Sequence, residues 1–224
     1  EKSSNVAFET VDDLSNICSE WTEMEMRNHK SRAALEVSRR ALTDKRGDQS
    51  SANKIRERLH RSTKLWALAC DVEDNFGTID TVSSTYQRAM ELKIATPMLV
   101  LNYAAFLAEH GHYEASFKAY EKGVAAFKWP VVNDIWVMYL MKFVSRYGGR
   151  KLERARDMFE QALVDCPADL CKNIYLLYAT LEETFGLARH ALDIYRRAAE
   201  HVEEKDKLKF FQLLRIKKKF RKRI

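Results

Sequence analysis

The chain has 224 residues but only seven glycines and three prolines, together well below the roughly 12% of an average protein. This scarcity of helix breakers favours long helices and excludes collagen-like, low-complexity and turn-rich β folds. Hydrophobic residues make up 46% of the chain, which is enough for a core and inconsistent with global disorder. Lysine and arginine exceed aspartate and glutamate by 38 to 32, but the net charge of +6 does not say where the charge lies.

The cysteine content, the hydropathy and the N-terminal residues indicate in which compartment and in what form the chain is expected. Four cysteines are too few for a secreted disulfide scaffold, so a reducing compartment is expected. No run approaches the roughly 18 uninterrupted apolar residues of a membrane span, so no membrane segment is expected. The chain begins Glu1-Lys2 without a methionine or a signal-like apolar stretch, and we expect it to be a segment of a longer sequence.

Helix breakers recur along the chain at a common period. The prolines Pro97, Pro130 and Pro167 are 33 and 37 residues apart, and the glycines Gly77, Gly111, Gly148 and Gly186 are 34, 37 and 38 residues apart. Two interleaved series with one period predict a repeated helix–turn–helix unit, in which each proline opens a helix and each glycine lies in the turn. At Thr96-Pro97, the threonine can cap a helix and the proline can take its first position.

The second helix of each unit carries an aromatic residue three positions before a small one. These anchors are Tyr86 with Ala89, Tyr120 with Gly123, Phe159 with Ala162 and Tyr195 with Ala198, and Ala41 is the small residue of a copy that has lost its aromatic. First helices are marked by Trp66 with Ala69, Val100 with Tyr103, Trp136 with Tyr139 and Tyr175 with Tyr178, and Trp21 leads the first unit. Residues three apart share a helix face, so the small residue admits a neighbouring helix and the ring fills the space beside it.

In chain order, the anchors predict five helix pairs. The first covers about 11–45, and Thr10 followed by Asp13 resembles a capping arrangement at its start. A polar run at 44–51 predicts a loop, after which 54–75 is expected to be an unusually long first helix of the pair at 52–94. The remaining pairs are expected at 97–128, 132–165 and 168–203. The predicted fold is an all-α, right-handed superhelical solenoid of antiparallel helix pairs, since no segment alternates with period two as a strand would.

The marks of the fourth pair resemble those of the half-a-tetratricopeptide (HAT) repeat. They are Trp136-Val137-Met138-Tyr139, followed by Ala155-Arg156 and by Phe159-Glu160-Gln161-Ala162. Tetratricopeptide (TPR) repeats keep a stricter period of about 34 residues and a different aromatic placement, so they rank second.

Longer runs resemble HAT-repeat pre-mRNA-splicing factors. They are residues 92–97, 114–121, 127–130, 147–156 and 186–191, and the likeness is clear from about 62 to 199 and decays beyond 207. The resemblance implies a nuclear scaffold of the Prp-nineteen-associated complex in the spliceosome, with crooked-neck-type HAT proteins, the Isy-one factor and the Aquarius helicase as partners. It also implies a link to transcription-coupled repair in animal members. Family members carry more repeats than five, so this chain would be a piece or a shortened relative.

The C-terminal segment concentrates the positive charge. Residues 205–224 carry +9, which leaves −3 for residues 1–204. Interleaved apolar residues predict a basic amphipathic helix, the first helix of a sixth unit, whose apolar face docks on the array. RNA-phosphate binding and nuclear import stay open as further roles. The candidate contact residues are Arg215, Lys217, Lys218, Lys219, Arg221, Lys222 and Arg223.

Other side chains offer weaker candidates. Trp129 lies in a loop and is a candidate RNA or partner contact, with packing over a repeat junction as the alternative. Cys166 and Cys171 have a zinc-like spacing, but no second ligand pair is near, so no metal is expected. The acidic pair Glu182-Glu183 is expected to face solvent. No phosphate loop or nucleophile–base set is recognisable, so we expect neither cofactor, small-molecule substrate nor enzymatic activity.

The sequence therefore predicts a non-enzymatic scaffold that presents a helical-repeat surface to splicing proteins. Two other classes stay open. A TPR-like peptide-binding adaptor would need a basic carboxylate clamp on its first helices, where Asn102 is a poor lone candidate. An RNA-binding repeat protein would need basic residues at the unit period, and the charge of −3 on residues 1–204 argues against that.

Overall fold

The structure, a computed structural model, describes the backbone of residues 10–43 and 59–221 and the side chains within these ranges up to Arg215. Over these ranges the chain forms α-helices and one short 3-10 helix, and no strand. The all-α, helical-repeat fold class is therefore confirmed. The helices fall into two compact units, divided after Gly111.

Among the described residues, the first unit contains the helices that precede this division. They are α1 (Val11–Arg27), α2 (Ser31–Leu42), α3 (Thr63–Phe76), α4 (Ile79–Glu91) and α5 (Pro97–Glu109). Threonines begin several of them: the Thr10 hydroxyl accepts a hydrogen bond from the backbone N–H of Asp13 at 3.2 Å, and Thr78 and Thr96 cap α4 and α5 in the same way. Pro97 occupies the first turn of α5, where its missing N–H costs no hydrogen bond.

The second unit contains the helices that follow the division. They are α6 (Tyr113–Ala126), α7 (Asn133–Tyr147), α8 (Leu152–Leu163), α9 (Cys171–Phe185), α10 (Ala188–His201) and α11 (Glu204–Arg221). The 3-10 helix Gly148–Lys151 joins α7 to α8. Short connections such as Gly186-Leu187 force consecutive helices to turn back and pack against each other.

The long helix predicted over 54–75 is wrong in the part that the structure describes. The chain turns at 60–62, and α3 begins only at Thr63, with Ser62 as its N-cap. The Ser62 hydroxyl shares a hydrogen bond of 2.8 Å with that of Ser15 on α1, and the His60 carbonyl accepts one of 2.6 Å from the indole N–H of Trp66. These local hydrogen bonds replace helix continuation. Residues 54–58 lie outside the described ranges.

Two of the three prolines do not open helices as predicted. Pro130 and Pro167 lie in the turns that precede α7 and α9. Their carbonyls accept hydrogen bonds from the N–H groups of Asn133 at 3.2 Å and Cys171 at 3.0 Å. Each proline therefore shapes the turn ahead of a helix, and only Pro97 takes a position inside one.

The division after Gly111 falls inside the helix pair expected at 97–128. Its two helices, α5 and α6, therefore belong to different units. Gly111 itself has φ +81°, a left-handed conformation that glycine adopts without steric cost.

Candidate functional site

Stacked aromatic rings join successive helices where one predicted pair meets the next. Tyr120 on α6 stacks on Tyr139 of α7 with ring centroids 5.4 Å apart, and Phe159 on α8 stacks on Tyr178 of α9 at 4.8 Å. In the first unit, Tyr86 on α4 stacks on Tyr103 of α5 at 4.8 Å. The aromatic anchor of each second helix thus contacts the aromatic mark of the following first helix, and such ring pairs fix the junction beyond their burial alone.

The structure buries most of the residues that the sequence marks as anchors. The buried anchors are Trp66, Tyr86, Ala89, Tyr103, Tyr120, Gly123, Trp136, Tyr139, Phe159, Ala162, Tyr175, Tyr178, Tyr195 and Ala198. Trp21 and Ala41, in the first predicted pair, are only half-buried. The Trp21 indole donates to Glu25 at 3.2 Å, and the Arg40 guanidinium lies 5.3 Å from its ring centroid. Polar contacts with Glu25 and Arg40 therefore contribute to the packing of this half-buried tryptophan.

The junction between the first two predicted pairs lacks its ring pair. Ser38 on α2 occupies the aromatic position of the second helix, and Ala69 on α3 occupies that of the following first helix. A groove of about 430 Å³ at this junction is lined by side chains that include Leu42, Trp66 and Ala69. The sequence shows the loss of each ring separately, but only the structure shows that the two positions face the same junction.

A corresponding groove in the second unit differs in its lining. It measures about 490 Å³ and runs past Trp136 and Tyr139. Glu121 on its edge accepts hydrogen bonds from the Tyr139 hydroxyl at 2.9 Å and from Arg154 at 3.1 Å. Asp157 also lines this groove, so its carboxylates outnumber its one arginine.

Two glutamates are buried near the ends of first helices, and the expectation that the pair Glu182-Glu183 faces solvent is wrong for Glu182, although Glu183 is exposed. Glu182 near the end of α9 is only 1% exposed, and its carboxylate accepts two hydrogen bonds from Arg156 of α8, at 2.6 and 2.8 Å. Glu73 on α3 is equally buried and accepts two from Arg39 of α2, at 2.6 and 2.9 Å. Bidentate charge pairing offsets the cost of burying these carboxylates.

A five-residue sequence repeat could have revealed these glutamates. Residues 73–77 read Glu-Asp-Asn-Phe-Gly and residues 182–186 read Glu-Glu-Thr-Phe-Gly. A Cβ atom on Gly186 would overlap the Glu182 carboxylate and lie 2.8 Å from its Cδ. A Cβ on Gly77 would likewise overlap the Glu73 carboxylate and lie 2.7 Å from its backbone carbonyl. Glycine is therefore needed where the glutamate folds back over the helix end.

Electrostatics around Glu182 favour its ionised form. Burial opposes ionisation, but hydrogen bonds from Arg156 and from the Leu187 backbone N–H outweigh it, so the pKa of Glu182 lies below its ordinary value. The hydrogen bond to Glu182 raises the pKa of Arg156 above an already high value. Glu160 is affected in the same way: two hydrogen bonds of 2.7 Å from Arg197 hold its pKa below the ordinary value.

The second residue of each five-residue repeat also has a defined role. The Tyr86 hydroxyl donates to Asp74 at 2.8 Å, and the Tyr195 hydroxyl donates to Glu183 at 3.0 Å. Each of these bonds ties the aromatic anchor of a second helix to the end of its own first helix. Burial raises the pKa of Asp74, and burial near Glu183 raises that of Tyr195 to about 12.

The C-terminal helix α11 packs against α10 through Phe210 and Leu214, both buried. Part of its positive charge is already paired: Lys207 contacts Glu204 at 2.6 Å, and Lys205 contacts Glu203. Arg215 is exposed. The side chains of Lys217, Lys218, Lys219 and Arg221, and residues Lys222 and Arg223, lie outside the described part of the chain. Their assignment to RNA or partner contact stays a prediction.

The remaining candidates show no assembled chemistry. Trp129 is half-buried in the turn before α7, and its proposed contact role stays a prediction. Cys166 and Cys171 are held as thiols, because burial raises the pKa of both, that of Cys166 to about 12. Within the described ranges, no cluster of histidine, cysteine and carboxylate side chains has the arrangement of a metal site. No described helix is both long and apolar enough to cross a membrane.

Helices joined by stacked rings, on a sequence with the Trp-x-x-Tyr mark, define a helical-repeat protein. The family model described as Pre-mRNA-splicing factor Syf1/CRNKL1 C-terminal HAT repeat matches residues 1–222. The chain belongs to this HAT-repeat family, which confirms the resemblance found in its sequence.

Full-length relatives are similar over almost the whole chain. The chain is 47% identical to rat Pre-mRNA-splicing factor SYF1 over 95% of its length and 46% identical to the Drosophila melanogaster syf1 homolog over 97%. It is 43% identical to the Schizosaccharomyces pombe splicing factor cwf3, also over 97%. It covers 25%, 25% and 28% of these relatives, and so spans about a quarter of their length.

Proposed function

We propose that this chain forms part of a non-enzymatic scaffold in pre-mRNA splicing, on whose helical-repeat surface spliceosomal proteins of the Prp-nineteen-associated complex assemble in the nucleus. The observation that carries the proposal is the 47% identity, over 95% of the chain, to a relative named as a pre-mRNA-splicing factor. By resemblance, the partners include a crooked-neck-type HAT protein, the Isy-one factor and the Aquarius helicase.

The physical basis of such a scaffold is a surface held in fixed geometry. Stacked rings such as Phe159 on Tyr178 and buried ion pairs such as Arg156 with Glu182 join successive helices at several points. Side chains exposed on neighbouring helices therefore keep their spacing, and a partner can bind through many modest contacts without ordering the surface first.

The two alternatives receive less support from the structure. α5 carries no lysine or arginine, and Asn102 is its exposed polar residue midway along the helix, so it does not provide a TPR-type carboxylate clamp. On α11, acidic neighbours of the same helix end already pair with Lys205 and Lys207, which reduces the charge offered to phosphate.

Affinity capture from nuclear extract tests the proposal. The chain, immobilised, is expected to enrich spliceosomal proteins, as identified by mass spectrometry. The matched control is Ala162→Trp, which should disrupt packing in the second unit and lower the recovery. Recovery of chaperones without spliceosomal proteins by the folded wild-type chain would overturn the proposal.

A further inference from the structure

Helix α7 carries a periodic stripe of side chains on the side away from its buried rings. The stripe, which we call the α7 face, consists of Met138, Met141, Lys142, Ser145 and Arg146. Positions i, i+3, i+4, i+7 and i+8 lie along one side of a helix. Met138 is half-buried and the other four are exposed, with Met141 at 48%. The face therefore offers a partner two flexible apolar side chains, which adapt to irregular surfaces, beside two cations.

The cations of the α7 face have no carboxylate partner among the described residues. On the next two helices, α8 and α9, every lysine and arginine makes an ion pair: Arg154 with Glu121, Arg156 with Glu182 and Lys172 with Asp206. Lys142 and Arg146 make no such pair with the described part of the chain, and residues 135–152 contain no aspartate or glutamate. The positive charge of this face is therefore not neutralised within its own helix.

An aromatic ring holds Arg146 in position. The central carbon of its guanidinium lies 4.0 Å from the ring centroid of Tyr113 on α6, and Tyr113 is half-buried. A guanidinium over a ring is attracted to the face of the ring, while the N–H groups at its own edge can still donate hydrogen bonds. One cation is thus placed before any ligand arrives, which lowers the entropy cost of pairing it with a carboxylate.

The charge balance of α7 differs from that of the other first helices before α11. α1 carries five carboxylates and one arginine, and α3 carries three carboxylates and one lysine. α5 has one glutamate and no cation, and α9 has two glutamates and one lysine. α7 carries two cations and a single carboxylate, Asp134, in its first turn. An acidic ligand is therefore attracted to α7 and not to these other helices.

We propose that the α7 face binds an acidic amphipathic helix of a partner protein. Apolar side chains of the partner helix pack on Met138 and Met141, and carboxylates on its flank pair with Lys142 and Arg146. A protein fits better than RNA, because an RNA backbone would pair with the two cations and leave the two methionines without contact. The inference rests on the proposed scaffold function, since it names one surface on which a partner is held.

Fluorescence anisotropy with a synthetic peptide tests the assignment. The probe is a fluorescein-labelled, alanine-based helical peptide with leucines along one side and glutamates on its flank, titrated with the full chain. We expect Arg146→Glu to weaken binding by about tenfold or more, because it replaces a charge-assisted hydrogen bond with repulsion. The charge-matched control is Lys128→Glu, an exposed residue between α6 and α7 at the end of α7 opposite Arg146. It should change the affinity by less than about twofold.

An exchange of charges separates specific pairing from general attraction. A second peptide, with lysine in place of each glutamate, should not bind the wild-type chain but should bind the double variant Lys142→Glu with Arg146→Glu. Met141→Ser should weaken binding of the acidic peptide by about fivefold, because it removes an apolar contact. Circular dichroism checks that each variant is folded. If loss of the contact with Tyr113 unfolds Arg146→Glu, Lys142→Glu decides the question.

Several results would overturn the inference. They are no binding of the acidic peptide by the wild-type chain, equal affinity in wild type and Arg146→Glu, or an equal loss in Lys128→Glu. Tighter binding of oligouridine than of the peptide, with the same dependence on Arg146, would overturn it and assign the α7 face to RNA. A chain that captures spliceosomal proteins but fails the peptide test refutes this inference alone. A chain that binds the peptide but captures no spliceosomal protein refutes the proposed function.

Discussion

The two units share a five-residue repeat, but they surround its glutamate differently. In both, the carboxylate folds back over a glycine and receives two hydrogen bonds from an arginine of the preceding helix. The Arg39 side chain in the first unit is 50% exposed, whereas the Arg156 side chain in the second is 19% exposed. Glu182 also accepts from the Leu187 N–H at 3.3 Å. The same backbone arrangement therefore holds a more exposed ion pair in the first unit and a more buried one in the second. The degree of burial determines how much each pair contributes to the stability of the fold.

One junction of the first unit, between α2 and α3, also differs from the junctions of the second unit in its ring positions. In the second unit, Phe159 and Tyr178 fill their junction with parallel rings. In the first unit, Ser38 and Ala69 carry no rings at their junction, and mainly aliphatic side chains pack there instead. This core contains Leu14, Leu42, Leu59, Leu65, Trp66, Ala69 and Ala89. A repeat thus persists after both rings are lost, because an apolar cluster on neighbouring helices still buries the shared face.

The largest expected effect compares two small anchors. Ala162→Trp places a ring where the residue is fully buried against neighbouring helices, and we expect a loss of more than about 3 kcal/mol in unfolding free energy. Ala41→Trp, at a half-buried position, should cost less than about 1 kcal/mol, because the ring can turn toward solvent. Urea unfolding followed by circular dichroism measures both. Equal losses would contradict the burial difference between the first pair and the later ones.

The next effect compares the two buried carboxylates. Glu182→Gln keeps the shape but removes the buried partner of Arg156, whose remaining counterion, Glu153, is 82% exposed, so we expect a loss of about 3 kcal/mol. Glu73→Gln should cost only about 1 kcal/mol, since the half-exposed Arg39 can be hydrated. Hydrogen exchange resolved to each unit assigns the loss. A larger loss in the first unit would mean that burial of the arginine does not set the contribution of the pair.

The anchors and the repeat period were predictable because they depend on periodic apolar packing. Phe159 and Ala162, for example, are three residues apart and therefore lie on one face of a helix, so their spacing alone predicts which face packs. The burial of Glu182 was not predicted, since a charged residue near a helix end is exposed unless a distant arginine reaches it, and Arg156 lies 26 residues away. At the break before Thr63, the Ser62 hydroxyl shares a hydrogen bond with the hydroxyl of Ser15, 47 residues earlier. The spacing of neighbouring residues does not encode such long-range polar contacts, although the five-residue repeat at 73–77 and 182–186 marks the positions of the two glutamates.

A smaller effect compares glycines that are needed for different reasons. Gly186→Ala should cost about 2 kcal/mol, because its methyl group displaces the Glu182 carboxylate from Arg156. Gly111→Ala meets no atom within 4 Å, so only its positive φ is penalised, at about 1 kcal/mol. Urea midpoints of the two variants provide the comparison. In the background of Glu182→Gln, the penalty of Gly186→Ala should shrink, because the carboxylate interaction is already lost; an unchanged penalty would show that backbone overlap causes it.

The smallest expected effect is a pH response of opposite sign in the two units. Hydrogen bonds from arginines hold the pKa values of Glu182 and Glu160 below the ordinary 4.5, so the unfolded chain takes up protons first as the pH falls. The second unit should therefore lose stability on acidification toward that pH. In the first unit, burial raises the pKa values of Asp71 and Asp74 above the ordinary 3.8. There the folded state binds protons more tightly, and acidification should stabilise it.

Native-state hydrogen exchange between about pH 6 and pH 4, corrected for the intrinsic exchange rate, reports the opening free energy of each unit. Each change should stay below about 1 kcal/mol, because several of these carboxylates are partly exposed and screened. Glu182→Gln removes one titrating group and should flatten the response of the second unit, while that of the first stays as in the wild type. A parallel fall in both units would show that Asp71 and Asp74 do not oppose folding when ionised, and that the two units respond to acid through their overall charge.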